Sequence, residues 1–230
     1  YDGKGQFVVR SSNQMQQAWL ELGPAGSLVA ESFVNFSREV SIIAVRGQNG
    51  EVKTWSLAEN HHHNGILSHS IVPAPKSLDL QPVAQDYITR LLNHLNYVGV
   101  LTLELFVTDK GLFANEMAPR VHNSGHWSIE GAVCSQFENH IRAVAGLPLG
   151  STDVIRPSVM VNIIGQHPKT EDILALNGAH LHLYNKTERE GRKIGHITLM
   201  PNDSIELTAL CRQLAKILPQ PLALTQDMNI

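Results

Sequence analysis

The stretch that decides the fold is LTLELFVTDKGLFANEMAPRVHNSGHW, residues 101–127. Its first eight residues alternate leucine or valine with threonine, glutamate or phenylalanine. This period of two predicts a β-strand with one continuous apolar face. Asp109-Lys110-Gly111 is typical of a three-residue hairpin turn, with glycine where a positive φ is needed. A second strand over residues 112–117 then runs back, so the stretch predicts an antiparallel hairpin.

The predicted hairpin brings two glutamates together. If Thr108 pairs with Leu112, Glu104 lies directly opposite Glu116 on one face, with Cβ atoms roughly 4.5–5.5 Å apart. Like charges at that separation are destabilising unless one carboxyl is protonated or a cation lies between them. Mg²⁺ binds through one or two carboxylates together with substrate phosphates, so we expect a Mg²⁺ site here, which Mn²⁺ can also occupy. The alternative is two solvated glutamates, and a slip of one residue in register would separate the pair.

Composition narrows the class of protein. A chain of 230 residues, 43% hydrophobic and 17% charged, is typical of one large or two small globular domains. The formal net charge of −3 gives no broad attraction to nucleic acid or to acidic lipid. No apolar run approaches the roughly 18 residues that span a membrane. Cys134 and Cys211 are expected to be buried thiols rather than a disulfide, which indicates a reducing, cytoplasmic compartment.

The remaining pattern favours an α+β fold with mixed or antiparallel sheets, because strands cluster and regular βαβ alternation is absent. Helices are predicted over residues 13–22, 80–95, 132–145, 171–176 and 204–218. Strands are predicted over residues 7–10, 27–34, 39–45, 51–57, 66–72, 157–164, 179–184 and 192–199, with a polar loop at 60–65. Short strands after residue 156 indicate a small β-rich module, so we expect domains at 1–150 and 151–230.

Two further stretches are candidate nucleotide contacts. YDGKGQ, residues 1–6, has glycines whose backbone N–H groups can wrap a phosphate, with Lys4 as a point charge. It is not a Walker loop, and a plain turn is the alternative. Glu31, Asn35 and Glu39 stand at predicted strand ends, where carboxylates can accept from ribose hydroxyls or an adenine amino group. Solvated strand ends are the alternative there.

Three further sets of polar residues outside the predicted strands are candidate functional residues. The run at residues 61–63 is three histidines, but consecutive side chains diverge in an extended chain, which argues for one useful histidine rather than a metal cluster. Residues 119–127 combine a guanidinium, two imidazoles, an amide and a hydroxyl directly after the paired carboxylates. The basic residues Lys186, Arg192 and Lys193 suit a phosphate. A structural loop and a solvated basic face are the respective alternatives.

These strings together resemble the ATP-grasp superfamily, and within it the N5-carboxyaminoimidazole ribonucleotide synthetases. YDGKGQ at residues 1–6, NEMAPRVHNSGHW at 115–127 and GRKIGH at 191–196 occur in that family's order. The resemblance covers essentially the whole chain, and the middle string is the most specific. It implies an ATP-grasp fold followed by a C-terminal module similar to a rudimentary single-hybrid domain.

The resemblance also implies roles for individual residues. The ATP-binding residues would be Tyr1, Asp2, Gly3, Lys4, Gly5, Gln6, Glu31, Ser32, Phe33, Val34, Glu39, His62, Asn115 and Glu116. Glu104 and Glu116 would ligate Mg²⁺, and Arg120 and His122 would be catalytic. Asn123, Ser124, Lys186, Arg192 and Lys193 would bind the substrate.

The implied reaction is the carboxylation of 5-aminoimidazole ribonucleotide by bicarbonate and ATP, through carboxyphosphate, in de novo purine biosynthesis. A homodimer is the implied assembly. Members of this family carry an N-terminal Rossmann-like domain and an ATP-contacting lysine that these residues lack, and the chain starts at Tyr1 inside a turn. We therefore expect a fragment that is nearly inactive alone.

Four alternative functions remain open. The chain could belong to a formate-dependent glycinamide ribonucleotide transformylase or to a biotin-carboxylase-like ligase. It could also be a non-catalytic nucleotide-binding module or a structural dimerisation piece.

Overall fold

The structure, a computed structural model, describes residues 5–219. The phosphate-loop residues Tyr1, Asp2, Gly3 and Lys4 lie outside the described residues. The helices are α1 (Met15–Leu22), α2 (Leu80–His94), α3 (Ser128–Gly131), α4 (Gln136–Val144), α5 (Thr170–Leu174) and α6 (Ser204–Ile217). The strands are β1 (Arg38–Arg46), β2 (Val52–Thr54), β3 (Ala58–His63), β4 (Ile66–Val72), β5 (Gly99–Thr108), β6 (Gly111–Ala118), β7 (Ser158–Ile164), β8 (Ala179–Leu183) and β9 (Lys193–Leu199).

The nine strands of the described chain belong to one sheet, in the order β6-β5-β1-β3-β4-β7-β9-β8, with β2 paired to β1 off this path. Every pairing between these strands is antiparallel. The predicted α+β class is therefore confirmed. The pairing of β4 with β7 joins strands from before and after residue 150 into the same sheet. The division into domains at that residue stays a prediction.

Helices pack on the sheet because its strands carry apolar side chains on both faces. Val40 and Ile42 of β1 pack with α2, whereas Ile43 of the same strand packs with Trp127 on the opposite face. The helix α2 contributes buried side chains four residues apart, Ala84, Ile88 and Leu92. A third cluster packs α6 against β7 and β9. These layers hold β1 and β5, which carry the candidate site, in a rigid frame.

The predicted turn of the central hairpin is wrong by one residue. Thr108 pairs with Gly111, so the turn consists of only two residues, and Gly111, with φ 110°, opens β6. The positive φ predicted for this turn falls on Gly111, which adopts it without strain. Continued without change, this register would place Glu104 opposite Asn115. A β-bulge between Leu103 and Leu105 shifts the pairing, and Leu103 then pairs with Met117. The bulge returns the strand to the register that was predicted for the glutamates.

The predicted polar loop at residues 60–65 is also wrong. Residues 58–63 form β3, which pairs with β4, and His61 lies opposite His69. Asn64 and Gly65 make the turn with φ of 50° and 75°. An Asn-Gly pair between two strands is a strong hairpin signal, and the neighbouring histidines obscured it.

The strands predicted at residues 7–10 and 27–34 are absent from the described structure, which gives those stretches an irregular, mostly exposed backbone. The helix predicted at 13–22 is present as α1, but its apolar side chains Met15 and Trp19 are exposed. Cys134 and Cys211 are both buried free thiols. No helix within residues 5–219 has the length and apolar character needed to cross a bilayer.

A pair of leucines on α2 tests the packing of this frame. Leu92 is fully buried, whereas Leu95, at the helix's C-terminal cap, is 46% exposed. We expect Leu92→Ala to lower the free energy of unfolding by about 2–5 kcal/mol, because it leaves a cavity under β1 and β5. The same change at Leu95 should cost less than about 1 kcal/mol. Urea titration of both variants measures this, and equal losses would contradict the packing described.

Candidate active site

The hairpin β5–β6 and the loop that follows it bring three potential ligands together. One ligand atom from each of Glu104, Glu116 and His122 lies within 4.8 Å of the other two. Glu104 is half-buried in β5, Glu116 is exposed on the edge strand β6, and His122 is 8% exposed. The two carboxylates at this spacing fit a divalent cation, and His122 Nε2 contacts Glu104 beside it. The predicted pairing of Glu104 with Glu116 is thus present, and His122 is added to it.

His122 orients Glu104. The imidazole Nε2 lies 3.1 Å from Glu104 Oε1, and Nδ1 accepts from the backbone N–H of Ser124 at 3.4 Å. Nε2 therefore carries the proton and donates to the carboxylate. Burial acts to raise the pKa of Glu104, but the hydrogen bond and electrostatic attraction of His122 outweigh it, with smaller contributions from His62 and Lys193. The pKa of Glu104 is consequently lowered, and the carboxylate stays ionised at neutral pH.

A cavity of about 440 Å³ is lined by residues 36–39, 59–63 and 68–69. Within it His62 Nδ1 lies 3.2 Å from Glu39 Oε2. Ser41 pairs directly with Glu104 across β1 and β5, so Glu39, two residues earlier on β1, is on the same face as Glu104. Two of the residues predicted to contact the nucleotide therefore meet, on the sheet face that carries Glu104. Asn115 precedes Glu116 on β6.

Residues 31–34, which were predicted to bind ATP, do not line this cavity. Residues 31–34 are irregular, and Phe33 is 71% exposed, with the Arg10 guanidinium 5.8 Å from its ring centroid. Contact with the sheet begins at Phe36, whose ring stacks on Phe106 at 4.4 Å. Gly5 and Gln6 are described, and both are likewise outside the cavity lining.

Gln136, at the start of α4, holds the loop after the hairpin in place. Its Oε1 accepts from the His122 backbone N–H at 2.9 Å, and its Nε2 donates to the His122 carbonyl at 2.7 Å. The side chain is fully buried. A Cβ on Gly125 would lie 2.6 Å from Gln136 Oε1, so glycine is required at this close approach. Sequence reasoning missed Gln136, because nothing local connects it to a motif fourteen residues earlier.

The other predicted site residues of the loop at 119–127 contact different parts of the structure. Arg120 is exposed, and its Nη1 donates to the neighbouring Val121 carbonyl at 3.0 Å. Asn123 exchanges two hydrogen bonds with Asn162 of β7, at 2.9 and 2.7 Å. Ser124 is fully buried, with its Oγ 2.9 Å from His122 Nδ1. Of this group, His122 contacts the Glu104 carboxylate, and Ser124 contacts His122.

The basic residues are divided between a loop and the site. Lys186 Nζ lies 5.2 Å from the centroid of the Tyr184 ring, and Arg192 Nη1 donates to Thr187 Oγ1 at 2.9 Å. Lys193, at the start of β9, contributes to the lowered pKa of Glu104. The structure therefore brings Lys193 towards the carboxylates and leaves Lys186 and Arg192 on the adjoining loop.

A group of aromatic rings, which sequence reasoning also missed, lies beside the loop. His182 and His196 stack at 4.4 Å, and His126 lies 5.0 Å from His196. The hydroxyl of Tyr184 is 2.7 Å from His196 Nδ1, and His182 Nε2 is 2.6 Å from Glu130 Oε1. Burial, with the charges of neighbouring histidines, lowers the pKa of His126 to about 4 and that of His196 to about 3. These imidazoles are neutral at physiological pH.

On the opposite face of the sheet, His69 stacks on His61 at 4.4 Å, and Glu59 links His61 with Arg38. His69 is 1% exposed, and burial, followed by the charges of His61 and His62, lowers its pKa to about 3. The ordinary pKa of an unfolded histidine is about 6.5. Between these two values the unfolded chain binds a proton that the folded chain excludes, so stability is lost as pH falls below about 6.5.

His69→Phe tests this linkage, because it removes the titrating group while preserving a flat buried ring. As pH falls from about 6 to about 4.5, the free energy of unfolding of the variant should fall less steeply than that of the wild type, by up to about 1.4 kcal/mol per pH unit. His94→Phe, at an exposed position on α2, should keep the wild-type slope. Urea titrations at several pH values check this, and parallel slopes for all three proteins would refute it.

Comparison with known proteins gives two family matches. The sequence model of the ATP-grasp domain matches residues 1–137. The model of the phosphoribosylaminoimidazole carboxylase C-terminal domain matches residues 158–209.

Among curated relatives, N5-carboxyaminoimidazole ribonucleotide synthase of Pseudomonas aeruginosa is 52% identical over 209 residues, which is 91% of this chain and 57% of that protein. Among solved structures, the synthetase of Thermus thermophilus has a TM-score of 0.91 at 50% identity, covering 94% of this chain and 60% of that one. A structure from Aspergillus clavatus, in complex with ADP and 5-aminoimidazole ribonucleotide, has a TM-score of 0.82 at 28% identity, covering 93% and 60%. The chain thus spans about three-fifths of the length of these relatives.

Proposed function

The chain belongs to the ATP-grasp family, and on that premise we propose that it supplies the nucleotide and metal site of an enzyme that carboxylates 5-aminoimidazole ribonucleotide. The product would be N5-carboxyaminoimidazole ribonucleotide, made with ATP and bicarbonate in purine biosynthesis. The observation that carries this proposal is the cluster of Glu104, Glu116 and His122, with Glu39 and its partner His62 on the same sheet face as Glu104. The relatives that share this sequence support the choice of substrate.

ATP would occupy the cavity beside the carboxylates. Glu39 and His62 would hold the ribose, since a carboxylate and an imidazole can together accept from and donate to its hydroxyls. Residues 31–34 would close over the adenine, and residues 1–6 over the β- and γ-phosphates. Asn115 would contact the phosphates beside Glu116. The exposure of residues 31–34 fits a segment that becomes ordered when the nucleotide binds.

Glu104 and Glu116 would hold Mg²⁺, which supplies neutralisation of the charge on the phosphate oxygens. The donor chemistry fits, because Mg²⁺ prefers carboxylate oxygens and binds through few protein ligands. His122 donates to Glu104 and fixes the direction of its other oxygen. A lowered pKa keeps Glu104 in the ionised form that a cation requires.

The reaction would begin with attack of a bicarbonate oxygen on the γ-phosphorus, in line with the departing ADP. Carboxyphosphate forms, it releases carbon dioxide and phosphate, and the substrate amine captures the carbon dioxide and loses a proton. The protein has little covalent chemistry to perform in such a transfer, so it acts by positioning and by neutralising charge. Arg120, exposed next to the loop, would hold the bicarbonate-derived anion.

The ribonucleotide would bind on the side of the C-terminal strands. Ser124 and Asn123 would border it, although the amide of Asn123 must then exchange Asn162 for substrate. The residues Lys186, Arg192 and Lys193 would face its phosphate. We further propose that the protein acts as a homodimer and that residues 151–230 form a separate small domain.

The test measures ADP release by the full-length protein that the gene for this chain encodes. We expect release to require both bicarbonate and 5-aminoimidazole ribonucleotide. Release with formate and glycinamide ribonucleotide would assign the transformylase reaction instead. Mg²⁺-dependent ATP binding without turnover under any of these conditions would favour a non-catalytic nucleotide-binding module.

Glu116→Gln tests the metal site itself. The substitution removes one charge and keeps the shape, so we expect ADP release to fall at least about 10²-fold while the free energy of unfolding stays within about 0.5 kcal/mol. Glu171→Gln, an exposed change in the first turn of α5, is the matched control and should retain full turnover. Steady-state kinetics and urea titration measure both. Wild-type turnover in Glu116→Gln would show that the metal binds elsewhere.

A further inference from the structure

His126, in the loop after the central hairpin, is held by the side chain of Gln136. The Gln136 amide has only one possible orientation, because its Oε1 accepts from the His122 backbone N–H and its Nε2 donates to the His122 carbonyl. The same Nε2 lies 3.1 Å from His126 Nδ1. An amide nitrogen can only donate, so Nδ1 is the acceptor in this hydrogen bond.

The acceptor role of Nδ1 fixes the chemical state of the His126 ring. A neutral imidazole carries its single ring proton on the other nitrogen, so the ring is the Nε2–H tautomer. A doubly protonated ring would place one N–H group against the Gln136 N–H, which is repulsive. Burial acts in the same direction, since burial and the charges of His122, His182 and Lys193 lower the pKa of His126 to about 4. His126 is therefore a neutral donor through Nε2.

The ring that carries this donor is held on several sides. The Phe137 and His196 ring centroids lie 5.3 and 5.0 Å from that of His126, and Tyr184 meets it edge-on at 6.3 Å. Nε2 has no hydrogen-bond partner within residues 5–219, and it is not one of the fully enclosed nitrogen atoms. An N–H group held in one direction, and not used by the protein, is available to a ligand.

The surroundings of His126 indicate the chemistry of that ligand. Lys193 on β9 contributes to the lowered pKa values of both His126 and Glu104, so its charge is close to both groups. Lys186 lies over the ring of Tyr184, against which His126 packs. An N–H donor beside two cations suits an anionic oxygen, and a phosphate group offers several such oxygens.

We propose that His126 binds the ribonucleotide by donating from Nε2 to an oxygen of its phosphate, and that Gln136 is the positioning residue that keeps this donor in place. The lysines supply charge, and His126 supplies a fixed direction. The same Gln136 amide holds the backbone of His122, so one side chain aligns the loop with the phosphate contact. The identity of the ligand rests on the proposed function, whereas the tautomer of His126 does not.

Calorimetric titration of the full-length protein with 5-aminoimidazole ribonucleotide, in the presence of Mg²⁺ and a non-hydrolysable ATP analogue, tests the contact. His126→Asn has no donor at the position of Nε2, so we expect affinity for the ribonucleotide to fall about 10-fold or more. The longer amide of His126→Gln reaches that position and should recover most of the loss. His180→Asn, at an exposed position on β8, is the matched control and should bind as the wild type does.

The 5-aminoimidazole riboside, which lacks the phosphate, identifies the group that His126 contacts. We expect the riboside to bind the wild type and His126→Asn with equal affinity. A loss of riboside affinity as large as that of the ribonucleotide would overturn the assignment to the phosphate.

Long-range ¹H–¹⁵N correlation spectra of ¹⁵N-histidine-labelled protein measure the tautomer without any ligand. At neutral pH we expect His126 to show an unprotonated Nδ1 and a protonated Nε2, whereas the exposed His94 on α2 should show averaged nitrogen shifts. In Gln136→Met, which keeps the length of the side chain but donates no hydrogen bond, the two His126 shifts should converge.

Three further results would overturn the proposal. They are an Nδ1–H tautomer of His126 in the wild type, unchanged His126 shifts in folded Gln136→Met, and wild-type affinity for the ribonucleotide in His126→Asn. Failure of the wild type to bind the ribonucleotide at all would contradict the substrate of the proposed function as well. Binding that does not depend on His126 would contradict this inference alone.

Discussion

Two carboxylates held side by side are the constraint on which the rest of the site depends. Glu104 and Glu116 repel each other, and a hairpin that brings them together is stable only if the surroundings compensate. His122 supplies part of that compensation by donating to Glu104. A divalent cation would supply the rest. The bulge between β5 and β6, the loop held by Gln136 and the hydrogen bond from Ser41 to Ser124 behind His122 all maintain this arrangement.

The antiparallel sheet explains how distant parts of the chain reach the same place. In the pairing of β1 with β5, Ser41 is opposite Glu104, and in the pairing of β1 with β3, Glu39 is opposite Asn60. Alternation then places the proposed nucleotide contact Glu39 and the proposed metal ligand Glu104 on one face, while the other face packs on α2. The strand β1 is central to the proposed site because it carries Glu39 and pairs with β5, which carries Glu104.

Local pattern was enough to predict much of this. The strands β4, β5, β7 and β9 and the helices α2 and α6 were predicted from periodicity, and the glutamate pair from the hairpin. The pairing was nevertheless reached through a wrong turn, because the bulge that restores the register has no signal in the sequence. The β3 strand was missed because three histidines resembled a loop, although Asn64-Gly65 marked the hairpin. Gln136 was missed because its role comes from contacts with the backbone of His122, fourteen residues earlier in the chain.

Anomalous diffraction from crystals grown with Mn²⁺ and a non-hydrolysable ATP analogue tests the central claim most directly. A peak between the carboxylates of Glu104 and Glu116, next to the phosphates of a nucleotide bound beside Glu39 and His62, is the predicted result. A peak bound to other residues, or a nucleotide outside that cavity, would contradict it.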